Sequence, residues 1–414
     1  MPKVECQLES TIARTFRVEQ VAGLFDVDVG EKSTLHVQAH LPGPCPGLGE
    51  ADENEGFRGW QIGAIVGPSG SGKSQLAKRA YGSHLVERFT WPADSAVVDG
   101  FDQSLGMDQI TGTLTAVGFS EPPSWVLPYQ ALSTGQRMRC DLARALLEHN
   151  EVVAFDEFTS VVDRQVGRFA SAAVAKAIRK RRVPVERFVA VTCHHDVLDW
   201  LEPDWVLDMS DRRLIVSPDA KIDNAALARL PRGWVRRAFR GWQRPTIQLK
   251  VRRVDAKAYW PLFKRHHYLD AKLHPAAGCY VAFAPAPGSG HTGQETPVAL
   301  CATLSNAGHK GKRRISRLVV LPDYQGLGIG LRLLERVAAL EHAQGYGISI
   351  STSHPALIAA LRTGGPSGRW RVGDVARSGS SQHGALAATN AGVRSGSGGR
   401  TVASFRYQAP GNGD

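Results

Sequence analysis

Along the first half of the chain, short continuous apolar runs alternate with stretches whose apolar positions recur at helical spacing. Gln61 to Val66 reads as a buried strand ending at a glycine, Val152 to Phe155 as one ending at two acids, and Phe188 to Thr192 as a third. Helical periods run from Gln75 to Tyr81 and from Arg137 to Glu148; Ala96 to Val98 reads as a further short strand. Trp205 to Met209 and Arg213 to Val216 close this rhythm, which predicts an α/β sheet with helices between its strands. The pattern then dissolves from Arg229 to Arg253. There Arg232, Arg236, Arg237, Arg240 and Arg244 are interleaved with Trp234, Phe239 and Trp242, with no acid, and the stretch reads as an interdomain connection. Regular elements resume with a strand from Ile315 to Val320, a helix from Leu331 to His342 and a strand from Gly347 to Ser351. Pro42 to Arg58 and the Gly/Ser/Ala tract Gly373 to Arg400 read as surface insertions.

A chain of 414 residues can bury a core in each of two domains. No apolar run is long enough to span a membrane, and Met1 to Glu9 lacks the basic-then-apolar order of a signal peptide, so a cytoplasmic protein is expected. The six cysteines are scattered without a C-x-x-C pair, which predicts reduced thiols. The net charge of +11 conceals an asymmetry: residues 1 to 217 hold 22 Lys/Arg against 29 Asp/Glu (−7), and residues 218 to 414 hold 28 against 10 (+18). A half this basic is a candidate surface for a phosphate-rich polymer; a solubilising surface with a coenzyme A site would also favour positive charge.

The chemistry begins at Gly67-Pro68-Ser69-Gly70-Ser71-Gly72-Lys73-Ser74, between a strand and a helix. Glycines let such a loop aim its N–H groups and the following helix terminus at the phosphates of ATP. Lys73 would neutralise the β- and γ-phosphates and Ser74 would hold Mg²⁺. Downstream come Leu132-Ser133-Thr134-Gly135-Gln136 at the start of a helix, then Asp156-Glu157 at the end of an apolar strand, Ser160-Val161-Val162-Asp163, and Cys193-His194-His195-Asp196 after another strand. By itself the second motif also fits an ordinary helix capped by Ser133.

In this order and context the set resembles the ABC-type ATPases over roughly residues 10 to 217. That resemblance implies an α/β P-loop domain that hydrolyses ATP between two copies. Ser133, Gly135 and Gln136 would be the signature that closes on the partner's nucleotide, Asp156 the Mg²⁺-binding aspartate and Glu157 the base that polarises water. Asp163 would belong to the interface-crossing D-loop, and His195 would be the switch histidine, with His194 as its rival. Gln103 is the first choice for the Q-loop glutamine, a nucleotide and metal contact, and Gln109 the second; Phe25 is a plausible adenine-stacking ring. Only 60 residues separate Lys73 from Ser133, leaving little room for the helical subdomain with which transporters grip membrane partners.

The second chemical segment is Arg317-Leu318-Val319-Val320-Leu321-Pro322-Asp323-Tyr324-Gln325-Gly326-Leu327-Gly328-Ile329-Gly330, leading into an amphipathic helix. It resembles the core motif of the GNAT acetyltransferases, an α+β fold, with Gln325, Gly328 and Gly330 filling its pattern. The resemblance implies that the loop with Gly326, Leu327 and Ile329 receives the pyrophosphate of acetyl-CoA or another acyl-CoA, while backbone at Leu318, Val319 and Val320 binds the pantetheine arm. No tyrosine follows Gly347 in the place where many of these enzymes protonate the leaving thiolate. His267, Tyr268, Ser353 and His354 are the acid/base and substrate candidates.

The order of the two parts resembles a small family of ATPase-acetyltransferase fusions of prokaryotes and their phages. His266-His267-Tyr268-Leu269 with Arg317 is similar, over a short stretch, to the Mom-like phage enzymes that modify DNA bases. The organisation expected is an ATPase domain over 1–217, a connector over 218–245 and an acyltransferase domain over 246–414 with an insertion at 373–400. The function expected is ATP-coupled acyl transfer to a nucleic-acid base, by a homodimer joined through its ATPase domains, with no membrane partner. Three other readings stay open: an ATP-gated nucleic-acid binder with an inactive transferase fold, an acetyltransferase of a small molecule or protein regulated by ATP, and a transporter's ATPase subunit.

Overall fold

The structure, a computed structural model, describes residues 3–11, 13–25, 32–46, 59–222, 224–228, 230–267, 273–285, 295–306, 308–373, 393–395 and 401–408. Tyr268 and most of the tract Gly373 to Arg400 lie outside them. The chain forms two compact units, Met1–Thr90 with Arg144–Arg244, and Trp91–Ala143 with Pro245–Asp414. The segment bearing the signature motif, Trp91–Ala143, groups with the C-terminal part in the second unit.

The first unit is built on a seven-stranded sheet. Across it run Leu85–Val86, Val152–Phe155, Arg187–Thr192, Ile62–Val66, Trp205–Asp208, Arg213–Val216 and Val235–Arg237. The first five are mutually parallel and only Arg213–Val216 reverses against its neighbour Trp205–Asp208. Ile62–Val66 and Val152–Phe155 are buried along their whole length, as expected for strands covered on both faces. A two-stranded antiparallel sheet, Lys3–Thr11 with Lys32–His40, contributes Val4, Val37 and Ala39 to the same core. The Arg/Trp stretch enters this unit as structure: Val235–Arg237 is the edge strand, and Trp234 packs on the core with its ring edge-on to His40.

The second unit holds an antiparallel-rich sheet in the order Lys250–Val254, Gly278–Pro285, Glu295–Ser305, Lys312–Val320, Gly347–Thr352, Thr401–Tyr407 and Trp370–Val372, with Val393–Ser395 also paired to Thr401–Tyr407. Helix Ile329–Ala343 covers it, burying Leu333, Leu334, Val337 and Ala338. That helix also brings in Glu341, whose buried carboxylate accepts from Tyr280 and Thr303 and pairs with Arg313. The segment Trp91–Ala143 adds helices Met107–Ala116 and Pro122–Trp125 and the start of helix Thr134–Glu148. The strand expected at Ala96 to Val98 is instead a turn of 3₁₀ helix at Val97–Gly100, with Ala96 in a lone bridge to Pro128. The apolar signal there reflects burial of Val97 within a small helical layer, not a ladder. Among the described residues no helix is long and apolar enough to cross a membrane.

Candidate functional site

In the first unit the parallel strands Ile62–Val66, Arg187–Thr192 and Val152–Phe155 lie side by side, so the segments leaving their carboxyl ends gather at one edge of the sheet. Those segments are the glycine loop, the two histidines and the paired acids; ligands of such sheets bind there. Gly67, Gly70 and Gly72 all have positive φ, and Gly72 caps helix Lys73–Tyr81 at φ 86°, ψ 13°. A Cβ on Gly67 would come 2.7 Å from Cβ of Met209. Lys73 is buried and its Nζ donates to the Pro68 carbonyl at 2.7 Å, while Ser71 Oγ is buried without a partner. A loop of open amides, an adjacent lysine and an unsatisfied hydroxyl fit a nucleotide's phosphates.

Asp156 is buried and accepts from the Glu157 amide at 2.8 Å; Glu157 itself is exposed and sits at φ 50°. A non-glycine residue held in this region carries strain of about 1–3 kcal/mol, a feature concentrated at functional positions. The Phe158 amide ties this turn to the Val191 carbonyl beside the histidines. Of the two histidines, His194 has its Nδ1 occupied by the Arg164 guanidinium at 2.7 Å. Burial and then the Arg164 charge hold its pKa below the ordinary value. His195 is half exposed, with Nε2 3.8 Å from Asp208. The ring left accessible is therefore His195. Arg164 and Arg168, which no motif singled out, brace Asp196. Asp163 spends a carboxylate oxygen on capping helix Arg164–Arg179 through the Gln165 amide. Phe25 is exposed at the end of helix Phe16–Phe25.

The remaining motifs of the nucleotide set lie in the second unit. Ser133 Oγ accepts from the Gln136 amide and Gln136 Oε1 accepts from the Ser133 amide, a reciprocal capping box that starts helix Thr134–Glu148. Gln136 Nε2 donates to Glu121 at 2.8 Å, so this side chain is committed within the protein, while Ser133 and Thr134 are exposed. Gln103 is exposed in a turn, and Gln109 caps helix Met107–Ala116 by accepting from the Gly106 amide.

Elsewhere in the second unit, Lys312–Val320 pairs in parallel with Gly347–Thr352 only from Lys312 to Ile315. The register against Glu295–Ser305 slips at Ala302/Thr303, which bulges the strand at Ser316 where that parallel ladder stops. A bulge bends its strand, and beyond it Leu318, Val319 and Val320 keep ladder partners on one side alone among the described residues. This open backbone edge fits an amide-bearing arm. It leads to Gly326 and Gly328 at φ 82° and 85°, Gly328 capping helix Ile329–Ala343 at ψ 13°. A Cβ on Gly330 would stand 3.1 Å from Val320 Cγ2. The loop fits a pyrophosphate through its backbone.

The Gln325 side chain is engaged otherwise: Oε1 accepts from the Ser120 amide at 2.7 Å and Nε2 donates to the Val320 carbonyl at 3.0 Å. His354 caps helix Pro355–Arg362 and its ring meets the Ser120 backbone; burial depresses its pKa, and Nδ1 has no hydrogen-bond partner. His267 lies with its ring 6.2 Å from Trp260, and Ser353 is half-buried beside His354. The residues that sequence reasoning missed here are Ser120 and Glu121. Glu121 precedes Pro122-Pro123 with no motif around it, so nothing local marks it.

Residues 248–362 match the model of the acetyltransferase (GNAT) family. An uncharacterized ABC transporter ATP-binding protein of Methanocaldococcus jannaschii is 29% identical over 158 residues, covering 35% of this chain and 26% of that protein. The chain thus spans about a quarter of the length of this curated relative. Among solved structures, an IAA acetyltransferase from Bacillus cereus is similar at 16% identity, over 39% of this chain and 100% of that one, with a TM-score of 0.27. The dimeric structure of a bacterial ABC transporter cassette is similar at 17% identity, over 36% of this chain and 81% of that one, with a TM-score of 0.29. The chain thus holds a segment, residues 248–362, that matches the GNAT acetyltransferase family, and a stretch of 158 residues similar to an ABC transporter ATP-binding protein.

Proposed function

We propose that the protein hydrolyses ATP between two copies of its cassette and couples this to acyl transfer from acetyl-CoA, or another acyl-CoA, onto an amine of a nucleic-acid base. The observation that carries the coupling is a matched pair of anion cradles in one chain. Each is a glycine-capped helix terminus following a strand, one at Gly72 and one at Gly328.

At the first cradle Lys73 would neutralise phosphate charge, and Ser74 with Asp156 would hold Mg²⁺. Glu157 would draw a proton from the attacking water and His195 would contact the γ-phosphate. Ser133 and Gly135 close on the partner's nucleotide, with Asp163 at the interface between copies. At the second, acyl-CoA supplies a thioester. The backbone of Leu318, Val319 and Val320 orients its arm, and the loop Gln325 to Gly330 binds its pyrophosphate. The acceptor nitrogen then forms a bond to the acyl carbon as the carbon–sulfur bond breaks, its proton leaves to a base, and the thiolate takes one up. His267, Tyr268, Ser353 and His354 are the groups proposed for these proton and substrate contacts.

The choice of acceptor rests on the +18 charge of residues 218 to 414 and on Phe239, which is fully exposed between the exposed Arg236, Arg237 and Arg240. Arginines that meet phosphates around a ring that can stack suit a polynucleotide. A separate permease as partner is disfavoured because the helical segment Trp91–Ala143 packs with the transferase domain. The test is mass spectrometry of nucleosides from cells that express the protein or its Lys73→Ala form. A base of acyl-increased mass that disappears with Lys73→Ala is expected; its absence in both refutes the acceptor. ATPase activity unaffected by added DNA and RNA would point to a small-molecule or protein acceptor.

A further inference from the structure

Within the second unit, one carboxylate touches both the cassette signature and the transferase domain. Glu121 is 4% exposed. Its Oε2 accepts from the side-chain amide of the signature Gln136 at 2.8 Å, and its Oε1 lies 2.7 Å from Nδ1 of His266. Nε2 of that ring accepts from Arg265 Nε at 3.0 Å, which leaves Nδ1 as the protonated nitrogen donating to Glu121. The imidazole is thus held at both nitrogens, one hold coming from the segment that carries the signature.

The surroundings tie the same two regions together a second time. Arg139, on the signature helix, is 1% exposed and has Nε and Nη2 without hydrogen-bond partners; the charges that offset its burial are Asp323, two residues before the coenzyme loop's Gln325, and Glu121. Gly118, at φ 90°, lets the chain pass so close to the coenzyme loop that a Cβ there would stand 3.1 Å from the Gln325 carbonyl oxygen. Ser120 then binds the Gln325 side chain. A buried ionic group with two distinct partners can specify one arrangement of those partners more than it adds stability.

We propose that Glu121 is a positioning residue that links the signature to the segment carrying His266, setting the orientation of that ring according to the state of the signature. When the signature closes on a partner's ATP, the Gln136 amide moves relative to Glu121, and the carboxylate transmits that displacement to the His266 ring. Glu121 touches neither nucleotide nor acyl group and acts through these two side chains. The nucleotide-driven half of the idea rests on the function proposed above; the geometric half does not.

The experiment uses the full chain with ¹⁵N-labelled histidine and the Glu157→Gln substitution, observing the ring nitrogens by NMR, with His266 assigned through His266→Gln. Without nucleotide, Gln136→Met should shift the His266 ring signals although it touches nothing on that ring; unchanged signals overturn the relay. Glu121→Gln, which keeps shape and one acceptor oxygen, should shift them further. With ATP and Mg²⁺, bound nucleotide being measured in the same samples by equilibrium dialysis, His266 should shift again in the parent and fail to do so in Gln136→Met. A shift that survives Gln136→Met with ATP bound also overturns the relay. Failure to bind ATP defeats the proposed function, while the nucleotide-free arm still decides the role of Glu121.

Discussion

Gly72 and Gly328 offer the sharpest test of the two cradles, because they share one conformation, φ 86°, ψ 13° and φ 85°, ψ 13°. Alanine at either position adds a single methyl group and forces an L-residue into the left-handed region, which costs about 1–2 kcal/mol. If the strain is kept, it lowers stability; if it is released by relaxing the loop, the amides turn away from their anion. Released strain of that size weakens binding roughly 5- to 30-fold. Calorimetry with a non-hydrolysable ATP analogue and with acetyl-CoA, on both variants, gives four affinities. Gly72→Ala should weaken the nucleotide alone and Gly328→Ala acetyl-CoA alone. Gly330→Val, whose side chain would press on Val320, should abolish acetyl-CoA binding. Unchanged acetyl-CoA affinity in Gly328→Ala, with melting unchanged as well, would refute the assignment of that loop, since the strain must appear in one of the two.

Glu157→Gln should arrest the protein as an ATP-bound dimer on size-exclusion chromatography in Mg²⁺; a monomer under saturating ATP refutes the two-copy site. Gln325→Leu strands the Ser120 amide and should lower unfolding free energy by about 1–3 kcal/mol in urea titrations; a loss below about 0.5 kcal/mol would mean that this contact is not kept in solution. For His354, burial places the folded pKa below the ordinary 6.5, so the unfolded chain binds the proton first as pH falls. Its contribution to stability is full above the unfolded value and is lost as pH drops toward the lower folded one. His354→Gln should therefore narrow the stability difference between pH about 7.5 and about 5.5; an identical difference in both proteins contradicts the burial of this ring.

Signals confined to a few consecutive residues were legible in the sequence. The strands around the glycine loop and the acids are continuous apolar runs because both sheet faces are covered, and Gly72 and Gly328 stand where only a residue tolerant of positive φ suits a helix start. What escaped was set by distant partners. Ala96 to Val98 has strand composition, yet its burial is supplied by a helical layer. The Arg/Trp stretch reads as a connection, but Trp234 finds a core and Val235–Arg237 finds an open sheet edge. Gln325 fits a family pattern, but its side chain is spent on the Ser120 amide, 205 positions away, and on the Val320 carbonyl. Glu121 has no local pattern, since its meaning lies in Gln136 and His266.

The likeness of the two cradles also locates what distinguishes their ligands. Backbone that agrees this closely cannot by itself choose between a triphosphate and a coenzyme's pyrophosphate, so discrimination falls to the flanking side chains. After Gly72 comes Lys73, which sets a cation at the helix start, and across the sheet edge stand Asp156 and Glu157, the groups proposed for metal and water. That combination meets a concentrated negative charge that must be both neutralised and attacked. After Gly328 comes Ile329, buried and apolar, and the approach runs along the backbone edge opened by the Ser316 bulge. Here the anchored group carries less charge and is not itself the reacting one, so amide hydrogen bonds suffice to hold it while the chemistry proceeds at the far end of the arm. In the proposed function the same helix terminus thus serves hydrolysis in one place and positioning in the other, according to the residue that follows the glycine and the strand that precedes it.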